Sequence, residues 1–133
     1  MAEIRRFEDI DAWKSARQLV SDIYTITSKG AFAKDFGLRD QIRRAAVSVM
    51  SNIAEGFERG GDKDFTQFLS LAKGSCGEVR SQLYVALDQK YLSEEQFRSI
   101  SDQTGHISQL IAGFMRYLRQ SNLRGSKYLD IGV

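Results

Sequence analysis

No proline occurs anywhere in the 133 residues. Proline ends or kinks helices by removing an N–H and clashing with the preceding turn, so its absence permits long unbroken helices. The apolar residues exploit that freedom. Four segments carry them at steps of three and four, the spacing that lines one face of a 3.6-residue helix. The first predicted helix runs from about Glu8 to Ser28, with Ile10, Trp13, Ala16, Val20, Ile23 and Thr27 in its stripe. Asp9 is its expected N-cap, supported by Asp11 in the first turn. Residues 29–36 break the pattern, and Gly30 is the expected stop.

The second predicted helix spans about Gly37 to Glu58, with Leu38, Ile42, Ala45, Ala46, Val49 and Ile53 on one face, widened by Met50 and Phe57. Gly60 and Gly61 should end it, and Asp62 is placed to cap the next. The third, about Lys63 to Lys90, repeats Phe65, Leu69, Ala72, Cys76, Val79, Leu83 and Ala86 in alternating fours and threes. Ser93 and Gln96 have the spacing of a capping box. The fourth helix then continues to about Gln120 through Phe97, Ile100, Thr104, Ile107, Ile111, Phe114 and Leu118. Heptad-like seams joined by short connections predict an all-α, antiparallel up-down-up-down four-helix bundle over residues 1–120. A flexible basic tail is expected over residues 121–133, and no strand pattern competes.

Composition bounds the setting. At 42% hydrophobic and 27% charged, the chain lies in the globular range and needs no disulfide to hold a core. Cys76 is the only cysteine, which fits a reducing compartment. The N-terminal stretch lacks the apolar run of a signal peptide, and no segment approaches the ~18 apolar residues of a membrane span. The expected location is therefore cytoplasmic, with no membrane contact.

Catalytic constellations are missing from the sequence. His106 is the sole histidine, so one His and one Cys cannot make a His/Cys zinc site. The ferritin-like carboxylate site needs repeated Glu-x-x-His pairs, and there are none. Residues 56–61 hold glycines but lack the Gly-Lys-Ser/Thr ending of a phosphate loop. Gly74-Ser75-Cys76-Gly77 lies within a helical seam and is no nucleophile elbow. The expectation is a protein that is not an enzyme and uses no cofactor or metal.

Three other features invite a reading. Gly74, Gly77, Gly105 and Gly113 interrupt predicted helix interiors, each at a cost of roughly 1 kcal/mol against alanine. Close approach of another backbone, inside the bundle or across a subunit contact, is the favoured account, with tolerated surface drift as the other. On the second helix Gln41, Arg44, Ser48, Asn52, Glu55 and Arg59 fall within about 80° of one another at ~100° per residue. This polar stripe borders the apolar face. It fits a solvated face, a buried polar network fixing bundle register or a subunit interface, or a ligand site. In the network reading Asn52 would bridge to Ser75 or Glu78 on the third helix. Finally, no acidic residue falls between Gln103 and Leu129, whereas Arg116, Arg119, Arg124 and Lys127 do. A helix end whose cations complement the dipole accounts for this, as does a phosphate-binding patch.

The residues also carry a family likeness. Phe7-Glu8-Asp9-Ile10 with Trp13, Ala16, Tyr24 and Thr27, followed by Gln41-Ile42-Arg43-Arg44-Ala45-Ala46-Val47-Ser48 and Asn52-Ile53-Ala54-Glu55-Gly56 with Arg59, resembles bacterial four-helix proteins encoded in 23S ribosomal RNA intervening sequences. Phe68-Leu69, Ala72-Lys73-Gly74-Ser75 and Glu78 extend the resemblance, which covers about Phe7 to Leu118. The first loop lacks the expected proline, and Met50 stands where a small residue or proline is commoner. The resemblance implies a bundle that assembles into a ring, most simply a pentamer. It also implies similarity to accessory proteins of diversity-generating retroelements, which look like basic pentameric barrels binding nucleic acid and a reverse transcriptase.

Two functions follow as expectations. One is a non-catalytic module that contacts nucleic acid, RNA favoured over DNA, through Arg43, Arg44, Arg116, Arg119, Arg124 and Lys127. Five copies would turn a net charge of +2 into about +10, and each neutralised phosphate releases counterions. The other is a scaffold ring that binds a protein partner, with Gln41, Ser48, Asn52, Glu55, Arg59, Ser75 and Glu78 organising subunit contacts.

Overall fold

A computed structural model describes residues 3–120 and 128–129. The described chain is helical apart from one two-residue strand pair. Four long helices, α1 (Asp11–Ile26), α3 (Phe36–Arg59), α4 (Asp62–Asp88) and α5 (Glu94–Gln120), are joined by a one-turn helix α2 (Gly30–Lys34) and short turns. Strand β1 (Glu3–Ile4) pairs antiparallel with β2 (Tyr128–Leu129), Glu3 opposite Leu129 and Ile4 opposite Tyr128. This small pair was absent from the sequence pattern, because two residues are too few for any period to register. Strand β2 falls within the expected tail, whose remaining residues are outside the described ones.

The apolar stripes of α3 and α4 become the core as spaced, whereas on α1 the buried face is turned toward Ala12 and Leu19, leaving Trp13 and Val20 half-buried at its edge, as Phe97 is on α5. Ala12, Ala16, Leu19 and Ile23 of α1 are buried, as are Leu38, Ile42, Ala46, Val49 and Ile53 of α3. The α4 seam from Phe65 to Ala86 and the α5 seam from Ile100 to Leu118 join them in one cluster. Helix α1 packs on α3 and α5, and α4 packs on the same two, so the four long helices enclose a single core. Thr27 and Thr104 are buried polar exceptions. Each hydroxyl donates to the carbonyl four residues back, at 2.6 Å to Ile23 and 2.7 Å to Ile100. A hydroxyl satisfied within its own helix can sit in a core at little cost.

Several helix ends differ from expectation. Asp9 does not cap α1. It belongs to a 3-10 turn (Phe7–Asp9), where its carboxylate accepts the backbone N–H groups of Arg5 and Arg6 at 3.0 and 3.2 Å. The Arg5 N–H bond, foremost, holds its carboxyl below the ordinary value. Ile10 takes the cap position of α1 instead, without a side-chain bond. Helix α1 stops at Ile26, before Gly30, which opens α2 at φ +60. Helix α2 exists because Phe32 is buried and stacks on Tyr91 at 5.3 Å.

Asp35, unremarked in the sequence, caps α3. One oxygen accepts the Leu38 N–H at 3.2 Å and the other accepts the Tyr91 hydroxyl at 2.9 Å. Gly60, at φ +85, ends α3 in the left-handed conformation that favours glycine. Gly61 takes the next cap, leaving Asp62 as the first residue of α4, where its charge still suits the dipole. Ser93 and Gln96 do form the reciprocal box at the start of α5, at 2.9 and 3.1 Å.

Glycine placement differs as well. A Cβ on Gly74, Gly77 or Gly105 would meet nothing within 4 Å beyond its own helix backbone, so among the described residues no other element approaches them. The close approach lies at Gly56, where a Cβ would sit 2.7 Å from the Phe68 Cβ and 3.0 Å from Phe65 Cδ1. Here α3 packs directly against α4.

Candidate nucleic-acid interface and polar stripe

The polar stripe of α3 runs beside α4 and changes character along its length. At its centre Ser48 is the node. Its Oγ accepts from Ser75 Oγ across the helix pair at 3.0 Å and from Asn52 Nδ2 at 2.9 Å. Asn52 also donates to the Ser48 carbonyl at 2.9 Å. The link between helices is thus Ser48–Ser75, with Asn52 reinforcing it from its own helix instead of crossing to Ser75 or Glu78. Ser75 is buried, which makes this the network part of the stripe.

Outside that centre the stripe opens to solvent. Gln41 and Arg44 are exposed at one end and, with Ala45, Ser48, Glu78 and Gln82, line an open groove of about 400 Å³. Gln82 Oε1 is buried there without a hydrogen-bond partner among the described residues. At the other end Arg59 pairs with Glu55 at 2.9 Å, both about half exposed, and lies over the Phe68 ring at 5.1 Å. The bond from Glu55 raises the Arg59 pKa.

This division separates the stripe residues by expected effect. Asn52→Leu should lower stability by about 1 kcal/mol through lost bonds to Ser48, whereas Glu55→Ala breaks a solvent-screened pair and should leave melting unchanged. Thermal unfolding of the two variants reads the difference. An Asn52→Leu protein melting like wild type but deficient in nucleic-acid binding would assign Asn52 to a ligand instead.

The expected phosphate contacts are not brought together. Arg43 turns inward, its Nε donating to Thr27 Oγ1 at 2.9 Å, a terminal nitrogen donating to Ser28 Oγ at 3.2 Å, and its guanidinium 4.4 Å from the Tyr24 ring centre. It joins the end of α1 to α3 and is largely committed to that task. Arg44, one residue on, is exposed. Arg116 and Arg119 are exposed on the last turns of α5, where Phe114 packs on Phe65 and Phe65 on Phe57. At about 1.5 Å per residue, Phe57 lies some 20 Å along α3 from Arg44, so the cations occupy opposite ends of the molecule. Arg124 and Lys127 lie outside the described residues.

Chemistry at the remaining reactive groups is constrained by placement. Cys76 is fully buried in the α4 seam, and burial pushes its thiol up to about 11. His106 is exposed on α5. Among the described residues no three His, Cys, Asp or Glu side chains cluster to hold a metal. No helix among them is long and apolar enough to cross a membrane. The thiol supplies a pH test. Its folded value exceeds the ordinary 9.0, so its neutral form favours the native state. That contribution is whole below pH 9 and is lost as pH rises through about 11, an effect of roughly 2–3 kcal/mol. The stability difference between wild type and Cys76→Ala should therefore shrink from pH 8 to pH 11. A difference constant with pH would show that the thiol does not titrate late.

The model of the 23S rRNA-intervening sequence protein family matches residues 8–113. The chain belongs to that family. The match takes in all of α1 to α4 and most of α5, including the Ser48 node. A solved member of the S23 ribosomal protein family from Bacteroides thetaiotaomicron VPI-5482, described as of unknown function, is similar at 21% identity and a TM-score of 0.72. The alignment covers 79% of this chain and 95% of that one, and at such identity it speaks for the fold. No curated protein matches the sequence. Membership in the intervening-sequence protein family therefore describes ancestry and architecture, and leaves function to the surface chemistry.

The sequence singles out the stripe but not its division into a buried node and exposed ends. It also passes over Asp35, Phe36 and Arg39. The Phe36/Arg39 pair had a legible signal, an aromatic three residues before an arginine on one helix face.

Proposed function

We propose that this intervening-sequence protein is a non-catalytic binding protein that contacts nucleic acid, RNA favoured, from a ring of antiparallel up-down-up-down bundles. The observation that carries the reading is the state of its cations. Arg44, Arg116 and Arg119 are exposed and form no ion pair among the described residues, so they are available to phosphate. A ring would repeat both cationic ends around its axis and raise the local potential that a single +2 chain lacks.

Two features support assembly. The outward side of α4 carries Leu71 and Val85, 53% and 45% exposed, on the same face as Gly74, whose surroundings are open. Gln82 Oε1 is a buried acceptor at the α3–α4 groove that a donor from a neighbouring copy would satisfy. The same α4 face favours the second reading, a scaffold ring that docks a protein and ignores nucleic acid.

Light scattering with a salt titration of binding to mixed RNA tests the reading. Five copies give a particle of about 75 kDa against 15.0 kDa for one chain. RNA affinity should fall steeply with salt. Replacing Arg116 and Arg119 by Gln should flatten the slope by about 0.7 for each phosphate left unneutralised. A 15.0 kDa particle would refute the ring. A ring that does not bind RNA at low salt would favour the scaffold.

A further inference from the structure

The region where α1 meets α3 carries two aromatic side chains that the core does not use. Phe36, the first residue of α3, is 63% exposed, and Tyr24, near the end of α1, is 43% exposed. Each has a guanidinium over its ring, Arg39 at 4.8 Å from Phe36 and Arg43 at 4.4 Å from Tyr24. Both guanidiniums are pinned. Arg39 pairs with Asp40 at 3.0 Å and donates to the Ala33 carbonyl at 3.1 Å, while Arg43 is held by Thr27 and Ser28.

Phe36, Asp40, Arg43 and Val47 follow one another at steps of four, three and four, and so share one face of α3. Tyr24, Asp40, Arg43, Arg44 and Val47 line an open groove there of about 490 Å³. The two ring positions are separated by about 10 Å along the helix axis, since Arg43 lies seven residues after Phe36.

From this juxtaposition we infer that the α1–α3 end is a stacking platform for an unpaired nucleic-acid strand. Bases would stack on the Phe36 and Tyr24 rings, and Arg44 would meet the backbone between or beside them. Charge favours this occupant. Residues 24–47 hold five basic and two acidic side chains, a net +3 that exceeds the +2 of the whole chain. One of the two acids, Asp40, is already paired with Arg39, and the other, Asp35, is bonded to Tyr91 and Leu38. An apolar protein partner would gain nothing from rings roofed by cations, whereas a base can stack on an aromatic face or on a guanidinium plane. A duplex keeps its bases stacked inside and would use only the cations.

The inference rests on the nucleic-acid reading, and the test separates their failures. Binding of a fluorescein-labelled eight-nucleotide single-stranded RNA, and of a duplex of the same sequence, is measured for wild type, Tyr24→Leu, Phe36→Leu and the double variant. Leucine keeps apolar contact at both exposed sites, and circular dichroism checks the fold. Phe36→Trp preserves the platform and adds a fluorophore. Each leucine should weaken single-strand binding by about 5- to 150-fold, the range of one base stack, with duplex binding within about twofold. Tryptophan emission from the Phe36→Trp variant should be quenched by the single strand.

Single-strand affinity unchanged in the double variant, while wild type binds RNA, would overturn the platform and leave the proposed function standing. Equal losses for both RNA forms would overturn it too, since stacking spares the duplex. Wild type binding neither form at low salt would overturn both readings. A changed particle mass in the double variant, with RNA affinity intact, would assign the face to a contact between copies and also overturn it.

Discussion

Phe65→Ala should cost about 3–5 kcal/mol, the range for removing a buried ring, and lower the melting temperature by roughly 10–20 °C. The ring is 1% exposed and meets Phe57 at 5.9 Å and Phe114 at 5.1 Å, so it ties α3, α4 and α5 together at one end. Alanine removes both ring pairs and leaves a cavity walled by three helices that cannot all collapse into it. Against a total stability of ~5–15 kcal/mol, such a loss takes a large part of the whole. Phe65→Leu, which keeps most of the volume, should cost under about 1.5 kcal/mol. Denaturant midpoints measure both. Equal, small losses for the two substitutions would mean that the end of the bundle is loose and that α5 is not held there by Phe114.

Gly56→Ala should also destabilise, against the usual benefit of alanine in a helix. The added carbon would lie 2.7 Å from the Phe68 Cβ, an atom fixed to the α4 backbone, and 3.0 Å from Phe65 Cδ1. Relieving the first contact requires the two helices to separate, because no rotamer moves a Cβ. Overpacking costs about 1–3 kcal/mol, and the helix-propensity gain of roughly 1 kcal/mol offsets only part of it. Gly74→Ala is the matched control. No atom of another described element lies within 4 Å of its added carbon, so in an isolated chain propensity alone should stabilise it by up to about 1 kcal/mol. Opposite shifts in melting temperature would locate the close approach at Gly56. A Gly74→Ala protein that melts lower, with a smaller particle mass, would instead place that face against another copy.

These two glycines show where one-dimensional reading stops. Both occur inside helices, and a glycine there is a cost whatever its surroundings. Whether the cost admits a neighbour depends on which face the glycine presents and how near the next helix runs. Gly56 follows Ile53 by three, on the core side, and meets Phe65 and Phe68 of the next helix. Gly74 faces outward, between Leu71 and Val85. The signal that distinguishes them is phase relative to the apolar stripe.

The cations teach a similar lesson. Arg43 and Arg44 are adjacent in sequence and equal in charge, yet one is bound to Thr27, Ser28 and Tyr24 and the other is exposed. A rotation of about 100° between neighbours on a helix decides which of them meets α1. Arg116 and Arg119 belong with Arg44 by type but stand at the far end of the molecule.

By itself the sequence determined that the chain makes long helices, which side of each is buried, and several of their ends. Periodicity near 3.6 residues and local capping chemistry at Ser93, Gln96 and Gly60 are written in neighbouring residues, so no tertiary contact is needed to read them. Tertiary structure alone decided that Asp9 would close a turn and not cap α1, and that Phe32 would stack on Tyr91 and so stabilise α2. It alone joined Ser48 to Ser75 and set Phe36 and Tyr24 out beneath their arginines. Each of these depends on a pairing between faces or on the path of a turn. A stripe specifies that a face will be covered, while the identity of the atoms that cover it emerges only when the helices pack.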